Sequence, residues 1–208
     1  MATPPAEGDP SMYTPQQNFA MASGALLQLD GYTSRTTGNV AAALGFINYE
    51  QTVSNKRTVN GNDVFSEAIS LSSLKKVGEQ KYFTGREDVL VRKADSLSAQ
   101  SVTWSDSAYR LSWEEFYGTY GFDPRALTSF IVNEQTVISE ESLDNGEGNY
   151  TFRYVLTPES ASNYCREVKV MSGASDYPVF SSVVLTLTVD SLWRPLVLER
   201  ETGYPWNG

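Results

Sequence analysis

Residues 181–204 constrain the fold of this chain more than any other stretch. In the first half, one side of the alternating pattern carries Val183, Leu185, Leu187 and Val189, and the other carries Val184, Thr186 and Thr188. A strand that packs one face against a core shows this period of two. After a turn near 190–195 a second alternating run begins at Pro195, a residue suited to a strand entrance because it has no N–H to donate. The segment predicts an antiparallel pair of strands.

Most of the remaining chain also follows strand patterns. The predicted strands are 32–40, 46–59, 64–72, 78–85, 88–94, 136–143, 150–156 and a remnant at 167–171. Asn60-Gly61 is a strong two-residue hairpin signal between the second and third of these. We interpret 95–101 as a polar linker and 102–104 as the opening of a short strand. Long strands with short connections favour a strongly curved antiparallel sheet, or half-barrel.

Helix signals occur at three places in the sequence. Thr14 caps a helix that has Pro15 at its first position and ends near 30–31. Ser112 and Glu115 form a capping box ahead of a helix that closes at 118–121. Asp123-Pro124 predicts a further helix through about 130–132. The fold class is therefore α+β, with an N-terminal helix and a central helical insertion covering the sheet.

The first 13 residues contain proline, glycine and acidic residues with little to bury. We expect residues 1–13 to be a disordered tail, of the kind that follows a removed export signal or lipid anchor, and residues 14–208 to form a single domain.

Charge and composition exclude several classes of function. The net charge of −9 repels nucleic acid and anionic lipid surfaces, so we expect no nucleic-acid partner. The chain has no histidine, which removes the Ser-His-Asp triad and the usual zinc sites. The single cysteine, Cys165, has no neighbouring base and reads as a structural thiol. We therefore expect no catalytic residues, no metal site and no cofactor.

Two oxygen-rich segments offer weaker alternatives. Glu114 and Glu115 with Asp123 could act as the paired carboxylates of glycoside hydrolysis, but the helix cap already explains Glu115. Residues 144–149, Asp-Asn-Gly-Glu-Gly-Asn, have the oxygen density of a calcium loop without the EF-hand spacing. A turn between two strands explains this segment more simply.

Aromatic residues concentrate between 104 and 122. Trp113, Phe116, Tyr117 and Tyr120 recur at i, i+3, i+4 and i+7 and share one helix face. The simpler interpretation is a helix packed into the sheet. The functional interpretation is an apolar cavity between helix and sheet, in which these four residues bind a lipid or another hydrophobic ligand.

The order of elements, from the N-terminal helix through a long meander and a helical insertion to the final hairpin TLTVDSLWRPLVLERETGY, resembles the periplasmic lipoprotein-carrier superfamily of LolA/LolB/LppX-like proteins. Its proteins enclose a hydrophobic cavity in a half-barrel plugged by helices. The resemblance rests on strand 183–190, the turn with Trp193-Arg194-Pro195 and the strand ending at Tyr204. Helices 112–120 and 123–130 would be the plug. It implies no catalytic residues.

From these patterns we expect an extracytoplasmic, non-enzymatic binding protein, the soluble part of a bacterial lipoprotein. It would hold an apolar or amphiphilic ligand between sheet and helices, and would reach the membrane only through an N-terminal anchor that this sequence lacks. The alternative is a structural or protein-interaction module of the cell envelope, with a cystatin-like or nuclear-transport-factor-like sheet, a protein partner and no small ligand. That alternative predicts a filled core and an exposed apolar patch.

Overall fold

The computed structural model describes residues 8–42, 45–57, 64–72, 76–83, 88–98, 101–121, 123, 125–144, 148–172 and 179–203. They form an α+β fold with three α-helices and two antiparallel sheets. The predicted α+β class and the antiparallel pairing are confirmed, but the strands divide between two sheets where the sequence predicted one. The chain separates into two compact units, a six-stranded unit within 29–121 and 166–177 and a four-stranded unit within 1–28, 122–165 and 178–208.

The six-stranded unit is a meander in which each strand pairs with the next. Its strands are β1 (Gly31–Ala42), β2 (Gly45–Arg57), β3 (Val64–Ser72), β4 (Lys76–Phe83), β5 (Asp88–Leu97) and β6 (Val102–Ser112). The predicted β2–β3 hairpin is confirmed by the pairing of Arg57 with Val64, whereas Asn60-Gly61 itself lies outside the described residues. The predicted linker 95–101 is wrong in part, because β5 continues to Leu97 and pairs there with Val102.

Helix α2 (Trp113–Tyr120) follows β6 directly and belongs to the six-stranded unit. It ends at Gly121, whose φ of 73° lies in the left-handed region that favours glycine. A Cβ at this position would lie 2.5 Å from Cδ of Arg166, so both the backbone conformation and the available space disfavour a side chain there.

The four-stranded unit contains the predicted C-terminal hairpin. Its strands are β7 (Val137–Asp144), β8 (Tyr150–Leu156), β9 (Ser182–Val189) and β10 (Pro195–Gly203), in the order β10-β9-β8-β7. The predicted apolar face of β9 is confirmed, since Val183, Leu185, Leu187 and Val189 are all fully buried. Pro195 is the first residue of β10, as expected.

Helix α1 (Pro15–Gln28) packs on this buried face and matches the predicted N-terminal helix. The ring of Phe19 meets Tyr154 edge-on, with 5.6 Å between ring centroids. The Tyr154 hydroxyl donates a 2.6 Å hydrogen bond to the carbonyl of Pro15, the first residue of α1. An apolar helix face thus covers an apolar sheet face, which is the main source of stability for such a unit.

Hydrogen bonds to Asp190 and the buried side chain of Trp193 stabilise the turn between β9 and β10. Asp190 Oδ1 accepts hydrogen bonds from the backbone N–H groups of Leu192 and Arg194, both at 2.9 Å. Between them Trp193 takes a φ of 56°, an unusual value for a bulky residue. Its side chain is fully buried, and its Nε1 donates a 2.7 Å hydrogen bond to Asn18 Oδ1. The buried indole compensates for the unfavourable backbone conformation.

The predicted helix at 123–132 is wrong. The Asp123 carboxylate accepts hydrogen bonds from the backbone N–H of Arg125 and from its guanidinium, and the Thr128 hydroxyl donates to the Asp123 carbonyl. These local bonds close a turn in place of a helix. The N-cap signal was real, since Asp123 does bind a nearby N–H, but the chain does not continue into a helix.

The predicted strand remnant at 167–171 is also wrong, because it lies in helix α3 (Ser162–Ser172). Val168 and Val170 alternate with polar residues and suggested a strand. The buried residues Asn163, Tyr164 and Glu167 follow helical spacing instead. The short 3-10 helix Pro158–Ala161 leads into α3.

The segment 1–13 was expected to be a disordered tail. Within it, Pro10–Met12 form one turn of 3-10 helix with Asp9 as its N-cap, and Pro10 is buried. The side-chain amide of Asn18 donates to the carbonyls of Pro10 and Tyr13, at 2.9 and 3.2 Å. This end of the described chain is therefore attached to α1.

Candidate functional site

The predicted capping box of α2 forms as expected and fixes the start of the aromatic helix. The Glu115 N–H donates to Ser112 Oγ at 3.2 Å, and the Ser112 N–H donates back to Glu115 Oε2 at 2.8 Å. The hydrogen bond from the Ser112 backbone lowers the pKa of Glu115. These two hydrogen bonds account for Glu115 as a capping residue.

The four residues predicted to line a cavity lie together on one face of α2. Phe116 and Tyr120 are buried, whereas Trp113 and Tyr117 are half-buried. The Phe116 ring lies 5.4 Å from Phe83 of β4 and 4.6 Å from Tyr120, between ring centroids. Phe116 and Tyr120 thus contribute to interior packing, and the partly exposed rings are those of Trp113 and Tyr117.

A buried polar cluster lies beneath this helix face. Glu79 and Lys81 of β4 are 5% and 3% exposed, and Tyr120 is 2% exposed. Lys81 Nζ lies 2.7 Å from Glu79 Oε2, and the Tyr120 hydroxyl donates to Glu79 Oε1 at 3.0 Å. The same ammonium lies 4.8 Å from the centroid of the Tyr120 ring. Each of the three groups therefore contacts the other two.

Two further groups extend the cluster toward solvent. The Tyr109 hydroxyl of β6 lies 3.5 Å from that of Tyr120, and Lys93 of β5, which pairs with Glu79 across the sheet, lies 5.6 Å from the Tyr109 ring centroid. Burial by itself would raise the pKa of Glu79. The charge of Lys81, the hydrogen bonds from Lys81 and Tyr120, and the charge of Lys93 outweigh burial and hold that pKa below its ordinary value. Glu79 is thus an ionised carboxylate whose negative charge is balanced by Lys81 and Lys93.

The pattern of β4 contained the signal for this pair, although our sequence analysis missed it. Glu79, Lys81 and Phe83 occupy alternate positions and must share one face of the strand. Phe83 is buried, so the two charges beside it are buried as well. Opposite charges on the same face of a strand as a buried aromatic residue can indicate an interior ion pair.

A groove of about 510 Å³ lies elsewhere on the six-stranded unit, over β1, β2 and β3. It is lined by Gly31, Tyr32, Thr33, Asn55, Lys56, Phe65 and Glu67. The strand register explains its position, since Gly31 pairs with Lys56 and Lys56 pairs with Phe65. Directly paired residues lie on the same sheet face, so these three form one row across the sheet. Gly31 ends the row at the edge strand without a side chain, and a Cβ there would lie 2.8 Å from the backbone carbonyl of Asn55.

The groove combines aromatic and charged side chains. Phe65 is 36% exposed, a large fraction for a phenyl ring, and Lys56 is also exposed. Glu67 lies two residues after Phe65 on the same face of β3, and its Oε2 accepts a 2.9 Å hydrogen bond from Gln80 Nε2. The volume falls in the range of small-molecule sites, and the lining combines two aromatic rings with polar and charged groups.

The described residues contain no cluster of three or more Cys, Asp or Glu side chains that could hold a metal ion. The proposed calcium segment 144–149 falls partly on residues 145–147, which lie outside the described ranges. Cys165 is half-buried, and burial raises the pKa of its thiol, which disfavours the reactive thiolate. Of the described helices, none combines the length and the apolar character that a membrane crossing requires.

Comparison with protein-family models, with curated proteins and with solved structures gave no match for this chain.

Proposed function

We propose that this chain is a non-enzymatic binding protein for an amphiphilic ligand, and that the ligand occupies the groove over β1, β2 and β3. The sequence analysis expected such a ligand between sheet and helix, against Trp113, Phe116, Tyr117 and Tyr120. Since Phe116 and Tyr120 are packed inside, the groove is the better site for the ligand.

The observation that carries the proposal is the row formed by Gly31, Lys56 and Phe65. It brings an exposed ring and an exposed ammonium to one side of a concave surface. A hydrocarbon chain gains free energy by covering the ring, while its polar group stays near the charges and water. An amphiphile therefore suits this groove better than a wholly apolar or wholly polar molecule.

Replacing Phe65 with alanine is expected to weaken the binding of an apolar fluorescent probe, N-phenyl-1-naphthylamine, roughly fivefold. The loss corresponds to about 1 kcal/mol, the part of a phenyl ring's burial free energy that a ligand would supply. Fluorescence titration of the wild-type and variant proteins measures the two dissociation constants.

Leu196→Ala is the matched control, because Leu196 is an exposed apolar residue of the four-stranded unit. It is expected to leave the dissociation constant unchanged. Equal affinities for the wild type and the Phe65→Ala variant would show that the probe does not use this groove.

A protein-interaction module is the second candidate, and an exposed apolar patch on the C-terminal hairpin favours it. Leu192, Leu196 and Val197 are 40%, 52% and 49% exposed and lie within six residues of one another. Exposed apolar patches mark protein interfaces as well as ligand sites. The Phe65→Ala experiment separates the two candidates, since the patch and the groove belong to different units.

The proposal includes an extracytoplasmic location, with this chain as the soluble part of a bacterial lipoprotein. The supporting feature is the resemblance of the element order and of the final hairpin to the lipoprotein-carrier superfamily. The strongly curved half-barrel of that superfamily is likewise proposed from the resemblance, and the antiparallel strand pairing is the feature that the two folds share.

A further inference from the structure

We infer that the ligand of the groove has a zwitterionic head group, with an anionic part held by Lys56 and an ammonium part held by Glu67 and Phe65. The inference rests on the proposed function and adds the chemical class of the ligand. It is argued from the positions and the hydrogen bonds of these three side chains.

Lys56 and Glu67 are diagonal neighbours on adjacent strands. Lys56 pairs with Phe65, and Glu67 lies two residues further along β3 on the same face. Diagonal neighbours in an antiparallel sheet have backbone positions about 7–8 Å apart, within reach of a direct ion pair for side chains of this length. Among the described residues, however, neither side chain takes part in an ion pair.

Gln80 explains why Lys56 and Glu67 do not form an ion pair with each other. It pairs directly with Glu67 across β3 and β4, and its Nε2 holds Glu67 Oε2 at 2.9 Å. The carboxylate is therefore oriented toward β4, away from β2 and Lys56. The groove thus presents one positive and one negative group, each able to accept an opposite charge from a ligand.

Phe65 lies beside both charges, opposite Lys56 and two residues before Glu67. A ring face next to a carboxylate attracts an ammonium group through cation–π interaction as well as charge. A head group with only a negative charge would leave Glu67 as a repulsive neighbour, and one with only a positive charge would meet Lys56. A zwitterion satisfies both groups.

The test uses four amphiphiles with the same dodecyl chain, each as monomers below its critical micelle concentration. They are dodecylphosphocholine, dodecanoate, dodecyltrimethylammonium and dodecyl maltoside, so the head groups are zwitterionic, anionic, cationic and neutral. Isothermal titration calorimetry measures each dissociation constant. We expect dodecylphosphocholine to bind about tenfold more tightly than dodecyl maltoside, a difference of about 1.4 kcal/mol, because its head group makes two additional charge contacts.

Two charge-removing variants assign the two ends of the head group. Lys56→Gln is expected to weaken the binding of dodecylphosphocholine and of dodecanoate a few-fold, and to leave the binding of dodecyltrimethylammonium unchanged. Glu67→Gln is expected to weaken the binding of dodecylphosphocholine and of dodecyltrimethylammonium, but not the binding of dodecanoate. Lys76→Gln and Asp106→Asn are the matched controls, because they remove the same charges at exposed positions outside the groove lining.

Equal affinities for the four amphiphiles, or variants that behave like their controls, would overturn the zwitterion and leave the proposed binding function standing. Binding of none of the four would overturn the proposed function itself.

Discussion

Replacing Trp193 with alanine is expected to lower the free energy of unfolding of the four-stranded unit by about 3–5 kcal/mol. The indole is fully buried, meets Tyr13 edge-on at 5.6 Å and donates to the buried side chain of Asn18. Truncation removes this packing and leaves Asn18 Oδ1 without its donor. Urea denaturation followed by circular dichroism measures the loss as a shift of the midpoint.

Two further variants divide this loss into its parts. Trp193→Phe keeps most of the apolar contact but removes the N–H, and is expected to cost about 1–3 kcal/mol for the unsatisfied oxygen. Leu192→Ala alters the exposed neighbour and is expected to stay within about 0.5 kcal/mol of the wild type. A Trp193→Ala protein as stable as the Leu192→Ala protein would contradict the anchoring role of the indole.

The second large effect is expected at the buried ion pair of Glu79 and Lys81. Lys81→Met leaves the Glu79 carboxylate buried without its cation, and Glu79→Leu leaves the Lys81 ammonium buried without its anion. Each single change is expected to destabilise the six-stranded unit by about 3–5 kcal/mol, whereas the double variant recovers most of that loss because no unpaired charge remains. A double-mutant cycle of urea midpoints measures the coupling.

The same variants have a predicted pH dependence. Since the folded-state pKa of Glu79 lies below its ordinary value of 4.5, the pair stabilises the protein above that pH and the stabilisation is lost as pH falls through the folded pKa. The wild type should therefore lose stability below about pH 4.5 more steeply than the double variant. Two results together would contradict a coupled buried pair. The losses of unfolding free energy in the two single variants would add up in the double variant, and the wild type and the double variant would lose stability equally steeply at low pH.

Local patterns predicted the elements that depend on local chemistry. The period of two in β9, the Pro15 start of α1 and the Ser112–Glu115 box are all properties of a few neighbouring residues, and all three are confirmed. The alternating valines at 168 and 170 led to a wrong strand prediction, because β-branched residues also occur in helices, where the buried face has a different spacing. At Asp123 the cap signal was correct, but side-chain bonds to the backbone closed a turn.

The division into two sheets and the candidate site depend on pairing between distant strands, which no local pattern specifies. Gly31, Lys56 and Phe65 meet only because β1, β2 and β3 pair in one particular register. A shift of one residue would place Lys56 on the opposite sheet face relative to its neighbours. The pair of Glu79 and Lys81 was missed for a similar reason, since its burial depends on contact with Tyr120 of α2, 41 residues along the chain from Glu79.

Backbone amide chemical shifts of the 15N-labelled protein, recorded while dodecylphosphocholine monomers are added, test the location of the ligand most directly. The account predicts saturable shift changes centred on Gly31, Tyr32, Thr33, Lys56, Phe65 and Glu67. Changes confined to α2, at residues 113–120, or the absence of any saturable change, would contradict the assignment of the groove as the binding site.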